Sequence, residues 1–272
     1  MNNFSLHNLD EFKKLVWDFY QYNKRQFDWR DVEDPYQVVV SEIMLQQTQT
    51  SRVQKKFHEF LQKFPNFNAL AQAERIDVLK IWVGLGYNRR AVALHEIAKR
   101  VILEYKGQLP ADVETLKTFK GLGHATASSI VAFAFNKPTV FIETNIRTVF
   151  LHCFYRNEEL IHDKMLMPLV AMTVDQVNPR QWYYALTDYG VYLKKEHKNP
   201  SRNSKHHQLQ STFAGSDRQI RGAIIKFLTE HTKVTQNKLI KNLAFEKERI
   251  LAQTEKLITE QMVIKNKNSL SL

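Results

Sequence analysis

Only one cysteine, Cys153, occurs in 272 residues. A single thiol excludes an internal disulfide framework and any all-cysteine metal cluster, and it points to a reducing, cytoplasmic setting. Glycine and proline are also scarce, at eight and seven, so few positions force a helix to break. No apolar run approaches the roughly 18 residues of a membrane span. Met1–Asp10 lacks the basic-then-apolar order of a signal peptide, and no membrane partner is expected. Acidic residues are few in the last third. Residues 194–272 hold 16 Lys and Arg against 7 Asp and Glu, whereas residues 1–193 hold 23 against 21. A nearly neutral body with a strongly basic end points to a polyanion, nucleic acid first, with plain solubility charge as the alternative.

What is present is mostly helical periodicity. The spacing predicts amphipathic helices over Leu9–Arg25, Tyr36–Gln49, Arg52–Phe64, Arg89–Tyr105, Ile142–Phe154, Met165–Val177 and Arg180–Leu193. Shorter helices are predicted over Asn68–Ala73, Ile76–Val83 and Val113–Thr118, and a helix of small residues over His124–Ala134. Lys194–Ser211 has no apolar period and reads as a linker or a docked loop. Three amphipathic helices follow, over Arg218–Glu230, Gln236–Leu243 and Glu246–Gln261. Met262–Lys265 then alternates like a short strand pair, and three helices with a small β wing is a winged helix-turn-helix order.

Three stretches carry chemistry. In Val38–Thr50, Glu42 is set among valine, isoleucine, methionine and leucine. Apolar surroundings disfavour the charged carboxylate and raise its pKa, which suits a proton donor. As one continuous helix, the stretch would place Glu42, Gln46 and Gln49 on one face. A carboxylate at the rim of an ordinary core helix is the plainer reading. In Lys120-Gly121-Leu122-Gly123, two glycines around an apolar residue allow a tight hairpin. The helix after it would offer backbone N–H groups and a dipole to a phosphate, although an inter-helix turn looks the same in sequence. In Phe141-Ile142-Glu143-Thr144-Asn145-Ile146-Arg147, a second acid sits in an apolar frame, as a helix cap or as a stabiliser of positive charge.

Ser41-Glu42-Ile43-Met44-Leu45-Gln46-Gln47-Thr48-Gln49, Gly84-Leu85-Gly86-Tyr87, Gly121-Leu122-Gly123 and Asn145-Ile146-Arg147 together resemble the helix-hairpin-helix DNA glycosylase superfamily. The nearest branch is the adenine DNA glycosylases (MutY). The resemblance runs from about Trp29 to Tyr184-Ala185-Leu186-Thr187-Asp188-Tyr189-Gly190. Phe213-Ala214-Gly215-Ser216-Asp217-Arg218-Gln219 resembles the opening of a tail found in a subset of such proteins. The resemblance implies an enzyme that flips a base from the duplex and hydrolyses its N-glycosidic bond. It makes Glu42 the general acid, Glu143 the stabiliser of the oxocarbenium-like sugar and Asn145 an active-site asparagine. Gln47 matches a residue that wedges into the base stack, and Gly121, Leu122 and Gly123 the phosphate-binding hairpin. Gln46, Thr48, Tyr87, Arg89, Lys120, His124 and Arg147 complete the expected DNA contacts.

The sequence departs from that pattern at three places. Glu143 replaces an aspartate, which moves the carboxylate by more than about 1 Å on standard bond lengths. The four iron–sulfur cysteines of the family fall at Lys194, Ser201, Ser204 and Gln210, none a thiolate ligand. His197, His206 and His207 lie nearby without a cysteine or clear acid partner, and no metal or other cofactor is expected. Bifunctional relatives carry a lysine nucleophile where Ala125 stands. A Schiff-base route lacks its amine, and a monofunctional enzyme without abasic-site lyase activity is implied. Ala125 also lacks the hydroxyl that adenine-removing relatives place there.

The expected architecture is all-α. A two-lobed body spans 1–195, with one lobe from about 30–147 and the other from 1–29 with 148–195. A basic linker covers 196–216 and a winged helix-turn-helix 217–272. The family's lesion-sensing C-terminal domain is not recognisable. The expected partner is double-stranded DNA with a mismatch or damaged base, bound by a monomer in the cytoplasm at the nucleoid. Cys153 reads as a packing residue, and Trp182-Tyr183-Tyr184 as core.

Overall fold

A computed structural model describes residues 6–156, 158–207, 212–231 and 234–272. In chain order the helices are α1 (Leu6–Asn23), α2 (Pro35–Leu45), α3 (Thr50–Lys63), α4 (Phe67–Gln72), α5 (Arg75–Trp82), α6 (Arg89–Tyr105), α7 (Val113–Lys117), α8 (His124–Phe135), α9 (Thr144–Phe154), α10 (Asp163–Thr173), α11 (Pro179–Glu196), α12 (Asp217–Glu230), α13 (Gln236–Asn242) and α14 (Lys247–Thr259). A two-stranded antiparallel ribbon of β1 (Ile264–Asn266) and β2 (Ser269–Ser271) ends the chain. The expected all-α class holds. Among the described residues, no helix is long and apolar enough to cross a membrane.

The chain forms two compact units, Met1–Val38 with Ala111–Leu209, and Val39–Pro110 with Gln210–Leu272. These boundaries differ from the lobes expected at 30–147 and 148–195. The Gly121–Gly123 turn and Glu143 belong with the N-terminal helix, and residues 217–272 group with 39–110 rather than standing apart. Helical periodicity marks where elements lie along the chain, but not which of them share a core.

In the first unit α11 is central, packing on α9, α1 and α8. It buries Trp182, Tyr183, Ala185 and Leu186 completely, each large side chain contributing about 1.5–3 kcal/mol by leaving water. Asp188 on the same helix is 2% exposed. It is held by Arg30 through Nη1 at 2.7 Å and Nη2 at 2.8 Å, and by Arg25 through Nε at 2.6 Å. A buried carboxylate is tolerated only with such pairing, and removing one partner of a buried pair typically costs about 3–5 kcal/mol. Cys153 packs against this core, and burial pushes its thiol up to about 12.

In the second unit α6 is central, packed on α4 and α5 through Ala91, Leu94, Ile97, Ala98 and Val101. The C-terminal helices enclose Ile220, Ile224, Ile225, Leu228, Leu239, Ile250 and Leu257, with Val92 of α6 against them. α12 packs on α5, and Arg75 Nη1 donates to the carbonyl of Gln261 at 2.9 Å. Val234 bridges Leu270 in antiparallel fashion, adding a third short edge to the ribbon. The ribbon lies about two residues beyond the predicted alternation, because α14 is closed by Met262 and Val263, both buried.

Residues 199–207 form a docked loop, the second of the two readings given for Lys194–Ser211, so the basic linker set at 196–216 does not begin as a free connection. Pro200, Ser201 and Ser204 are buried. Ile161 N donates to the carbonyl of Asn203 and Lys205 N to that of Ile161, both at 2.9 Å. Gln210 lies outside the described residues.

Gly190 sets how closely α11 approaches α9. A Cβ there would stand 2.3 Å from the Asn145 carbonyl oxygen and 2.8 Å from its carbon. Those atoms are backbone and cannot swing aside, so Gly190→Ala is expected to destabilise the protein by about 2–3 kcal/mol, the usual cost of overpacking. Urea unfolding followed by circular dichroism measures this, and an unchanged midpoint would contradict the close approach.

Candidate functional site

The candidate residues fall into two sets, one in each unit. The first set follows α2. Glu42 is partly exposed between buried Ser41 and Ile43. α2 ends at Leu45, four residues before the predicted end, so Gln46 and Gln49 do not continue the Glu42 face. Gln47 adopts φ +52°, outside the helical region. The cause is Arg90, buried at the start of α6. Its Nη1 donates to the carbonyls of Ile43, Met44 and Gln46 at 2.9, 2.9 and 2.6 Å. These carbonyls are among those a helix leaves without intrahelical partners at its end. Its Nη2 donates to Thr48 Oγ1 at 2.9 Å and to the carbonyls of Leu85 and Gly86 at 3.1 and 3.0 Å.

One guanidinium therefore ties the turn at 46–49 to the turn at 84–87. The second turn needs its glycines, since Gly84 and Gly86 sit at φ +100° and +73°. Trp82 Nε1 donates to the Gly86 carbonyl at 3.1 Å. Burial lowers the Arg90 pKa to about 10, and the group stays charged at neutral pH. Sequence reading missed Arg90, although an arginine directly after a glycine-broken turn is the available signal. Gln47 is left exposed on the turn and Arg89 exposed beside it.

Tyr87, at φ +47°, accepts a hydrogen bond from Arg218 Nη1 of α12 at 2.9 Å. The guanidinium carbons of Arg90 and Arg218 lie 5.5 and 5.7 Å from its ring centroid. A cavity of about 810 Å³ is lined by Tyr87 itself with Gln47, Arg52 and Arg89, together with Arg218 and Lys226 of α12. Glu260 also lines it, but is paired with Arg221. α12 reaches this position through a cap in which Gln219 N donates to Ser216 Oγ and Gly215 N to Gln219 Oε1.

The second set lies in the first unit. Gly121 takes φ +93°, Leu122 is buried beneath it, and Leu122 N donates to the Phe119 carbonyl at 3.1 Å. Gly123 has φ −81° and caps α8. Its glycine character therefore gives open space, as a Cβ would meet nothing within 4 Å. Lys120, Gly121, Gly123 and His124 are exposed at the positive end of the α8 dipole. His124 Nε2 donates to the Val140 carbonyl at 3.0 Å.

Glu143 is the N-cap of α9. Its Oε1 accepts from the backbone N–H of Asn145 at 2.8 Å and of Ile146 at 3.0 Å. Asn145 Nδ2 lies 3.3 Å from Oε2, and Lys194 Nζ 2.7 Å from Asn145 Oδ1. Arg147, expected at DNA, is instead committed to Asp163 through two bonds of 2.7 Å. A bidentate pair in a partly buried setting holds its guanidinium between α9 and α10.

An iron–sulfur cluster does not fit here. Besides Lys194, the described positions are Ser201 and Ser204, whose hydroxyls serve the loop itself. Ser201 Oγ donates to Asn199 Oδ1 at 2.8 Å, and Ser204 Oγ accepts from His206 N at 3.0 Å. Among the described residues no group of three or more His, Cys, Asp or Glu could hold a metal ion.

A helical body with a tight glycine hairpin before a helix, and a capped acid some twenty residues later, defines a helix-hairpin-helix protein. Residues 40–170 match the model of the HhH-GPD superfamily base excision DNA repair proteins. An adenine DNA glycosylase of Mycolicibacterium smegmatis is 30% identical over 249 residues, covering 80% of each chain. That of Mycobacterium tuberculosis is 38% identical over 136 residues, covering 50% of this chain and 44% of its own. A thermostable thymine-DNA glycosylase structure aligns at 25% identity with a TM-score of 0.64, over 71% of this chain and 91% of its own. The chain spans about half the length of several curated relatives. The chain belongs to the HhH-GPD superfamily, among relatives of the adenine DNA glycosylase kind.

Arg90→Ala should take a charged donor from five backbone carbonyls and the Thr48 hydroxyl at once, leaving the Gly86 carbonyl its bond from Trp82 Nε1. The expected loss is about 3 kcal/mol or more, since buried groups lose charged hydrogen-bond partners. Hydrogen–deuterium exchange of residues 46–49 and 84–87 should speed up together. Unchanged exchange in either turn would show that Arg90 does not join them.

Proposed function

We propose that the protein is a monofunctional DNA glycosylase of base excision repair, hydrolysing the N-glycosidic bond of a flipped base. Adenine mispaired with 8-oxoguanine or guanine is the favoured target. The observation that carries the reading is the Glu42 helix ending in an Arg90-clamped turn that presents Gln47, in a chain of this superfamily. Glu42 protonates the adenine ring as the bond breaks, since a neutral nucleobase is the better leaving group. Glu143 stabilises positive charge on the sugar and orients the attacking water, and Asn145 completes that corner. Gln47 enters the base stack, with Gln46, Thr48 and Tyr87 around it. Gly121–Gly123, Lys120 and His124 grip phosphate through backbone donors and charge. Ala125 supplies no amine, so the product is an intact strand with an abasic site.

The C-terminal helices and ribbon act as a winged helix that holds duplex DNA, with α12 contributing Arg218 and Lys226 beside Tyr87. The partner is double-stranded DNA bound by a monomer in the cytoplasm at the nucleoid. A second reading keeps the chemistry and changes the base. It is favoured by the thymine-DNA glycosylase named among the structural neighbours and by the longer side chain at Glu143.

A duplex with adenine opposite 8-oxoguanine, incubated with enzyme and then treated with alkali, should break at the adenine. Intact strands at enzyme excess reject adenine, and a panel of mismatched and damaged bases then decides the second reading. Glu42→Gln should lower the single-turnover rate by at least about a hundredfold, the usual scale of general acid catalysis, with duplex affinity kept.

Arg218→Ala should weaken duplex binding severalfold. It should also reduce the slope of log affinity against log salt by about one, as for one lost phosphate contact. An unchanged slope in fluorescence anisotropy would remove α12 from the DNA surface.

A further inference from the structure

The Glu143 corner is held from outside its own helix. Lys194 and Gly190 are four residues apart on α11 and so share a face. Both meet Asn145, Gly190 by giving its backbone room and Lys194 through the 2.7 Å bond to Oδ1. An ammonium only donates hydrogen bonds, and an ionised carboxylate only accepts them. Between them, the amide of Asn145 has one favourable orientation. Its oxygen faces Lys194 and its nitrogen faces Glu143, with Nδ2 at 3.3 Å from Oε2. A flipped amide would set NH₂ against the ammonium and oxygen against the carboxylate. The two backbone donors hold Oε1, so the amide is what steadies Oε2.

We propose that Lys194 is a positioning residue that fixes the Asn145 amide and through it the Glu143 carboxylate. The position that the family resemblance assigns to a cluster thiolate here sends an ammonium to the catalytic corner. Lys194 is partly buried. Burial holds its pKa below the ordinary lysine value, against the opposing Glu143 charge and with a smaller lowering from Arg147. Such an environment restricts a flexible side chain to few conformations, which a positioning role requires. The extra methylene of Glu143 gives the carboxylate more rotamers than an aspartate, and the amide relay removes that freedom. The catalytic part of this proposal rests on the glycosylase reading above.

The test uses the full chain with Lys194→Met, which keeps bulk and removes the donor, and Lys194→Arg, which restores a charged donor. Single-turnover excision is measured beside duplex affinity, and the Asn145 side-chain amide is followed by ¹⁵N–¹H NMR. Lys194→Met should slow excision about tenfold to a hundredfold, the scale at which small misplacements act. Its affinity should stay within about threefold, and the Asn145 side-chain resonances should shift. Lys194→Arg should recover most of the rate.

An unchanged rate in the methionine variant overturns the proposal. So does a rate that falls only because affinity falls, which would make Lys194 a DNA contact. If the wild-type protein excises no base in the panel, the glycosylase reading fails on its own. The NMR arm then decides the link, with unmoved Asn145 resonances rejecting it and shifted ones supporting it.

Discussion

The Arg90 guanidinium is the interaction on which the exposed turns at 46–49 and 84–87 depend. Two backbone turns, each too irregular to satisfy its own carbonyls, converge on one planar donor. A guanidinium suits the task because its donors form a fixed fork, whereas a lysine would offer one compact charge with freely rotating hydrogens. Burying that charge is unfavourable, as its lowered pKa indicates. Five carbonyls and a hydroxyl offset the cost. Helix α2 can then stop at Leu45 and leave Gln47 exposed in a left-handed conformation, which no side chain adopts cheaply without such support.

A comparable substitution holds the loop at 199–207. In this chain, serines stand where the resemblance places metal-binding thiolates, and local bonds hold the fold. Asn199 and Ser204 organise the turn, and parallel pairing with Ile161 anchors it. The energetic character differs. A cluster would tie the loop with a few strong bonds, whereas here several hydrogen bonds of about 1 kcal/mol each act together. Pro200 adds apolar burial.

The sequence made much of this legible, and the failures have specific physical causes. Helical periodicity located the helices but not all of their ends, and the end of α2 moved where a distant group intervened. Gln46 and Gln49 left the Glu42 face because Arg90, more than forty residues on, stops the helix. Arg147 looked available for DNA because Asp163 gives no sign in sequence of lying within 2.7 Å of it. Of the two readings of Glu143, the cap is the one the geometry displays. That cap holds one carboxylate oxygen in place while the other faces the Asn145 amide. Unit boundaries were illegible because they depend on which apolar stripes meet, and a stripe does not name its partner.

Net charge overstated how much of the C-terminal region is open to a polyanion. Arg221 is paired with Glu260, and Arg249 donates to Asp217 and to the Gly215 carbonyl. Such cations brace the small module, and bridging charges of this kind add little to long-range attraction. Lys238, Lys241 and Lys247 are exposed, yet charge alone does not orient a duplex. What distinguishes α12 is that its Arg218 meets an aromatic side chain on a turn already fixed by Arg90. A cation held beside a ring can follow both a phosphate and a base face, whereas a scattered lysine follows only the phosphate. The informative part of a basic tail is therefore the minority of its charges that reach a built surface.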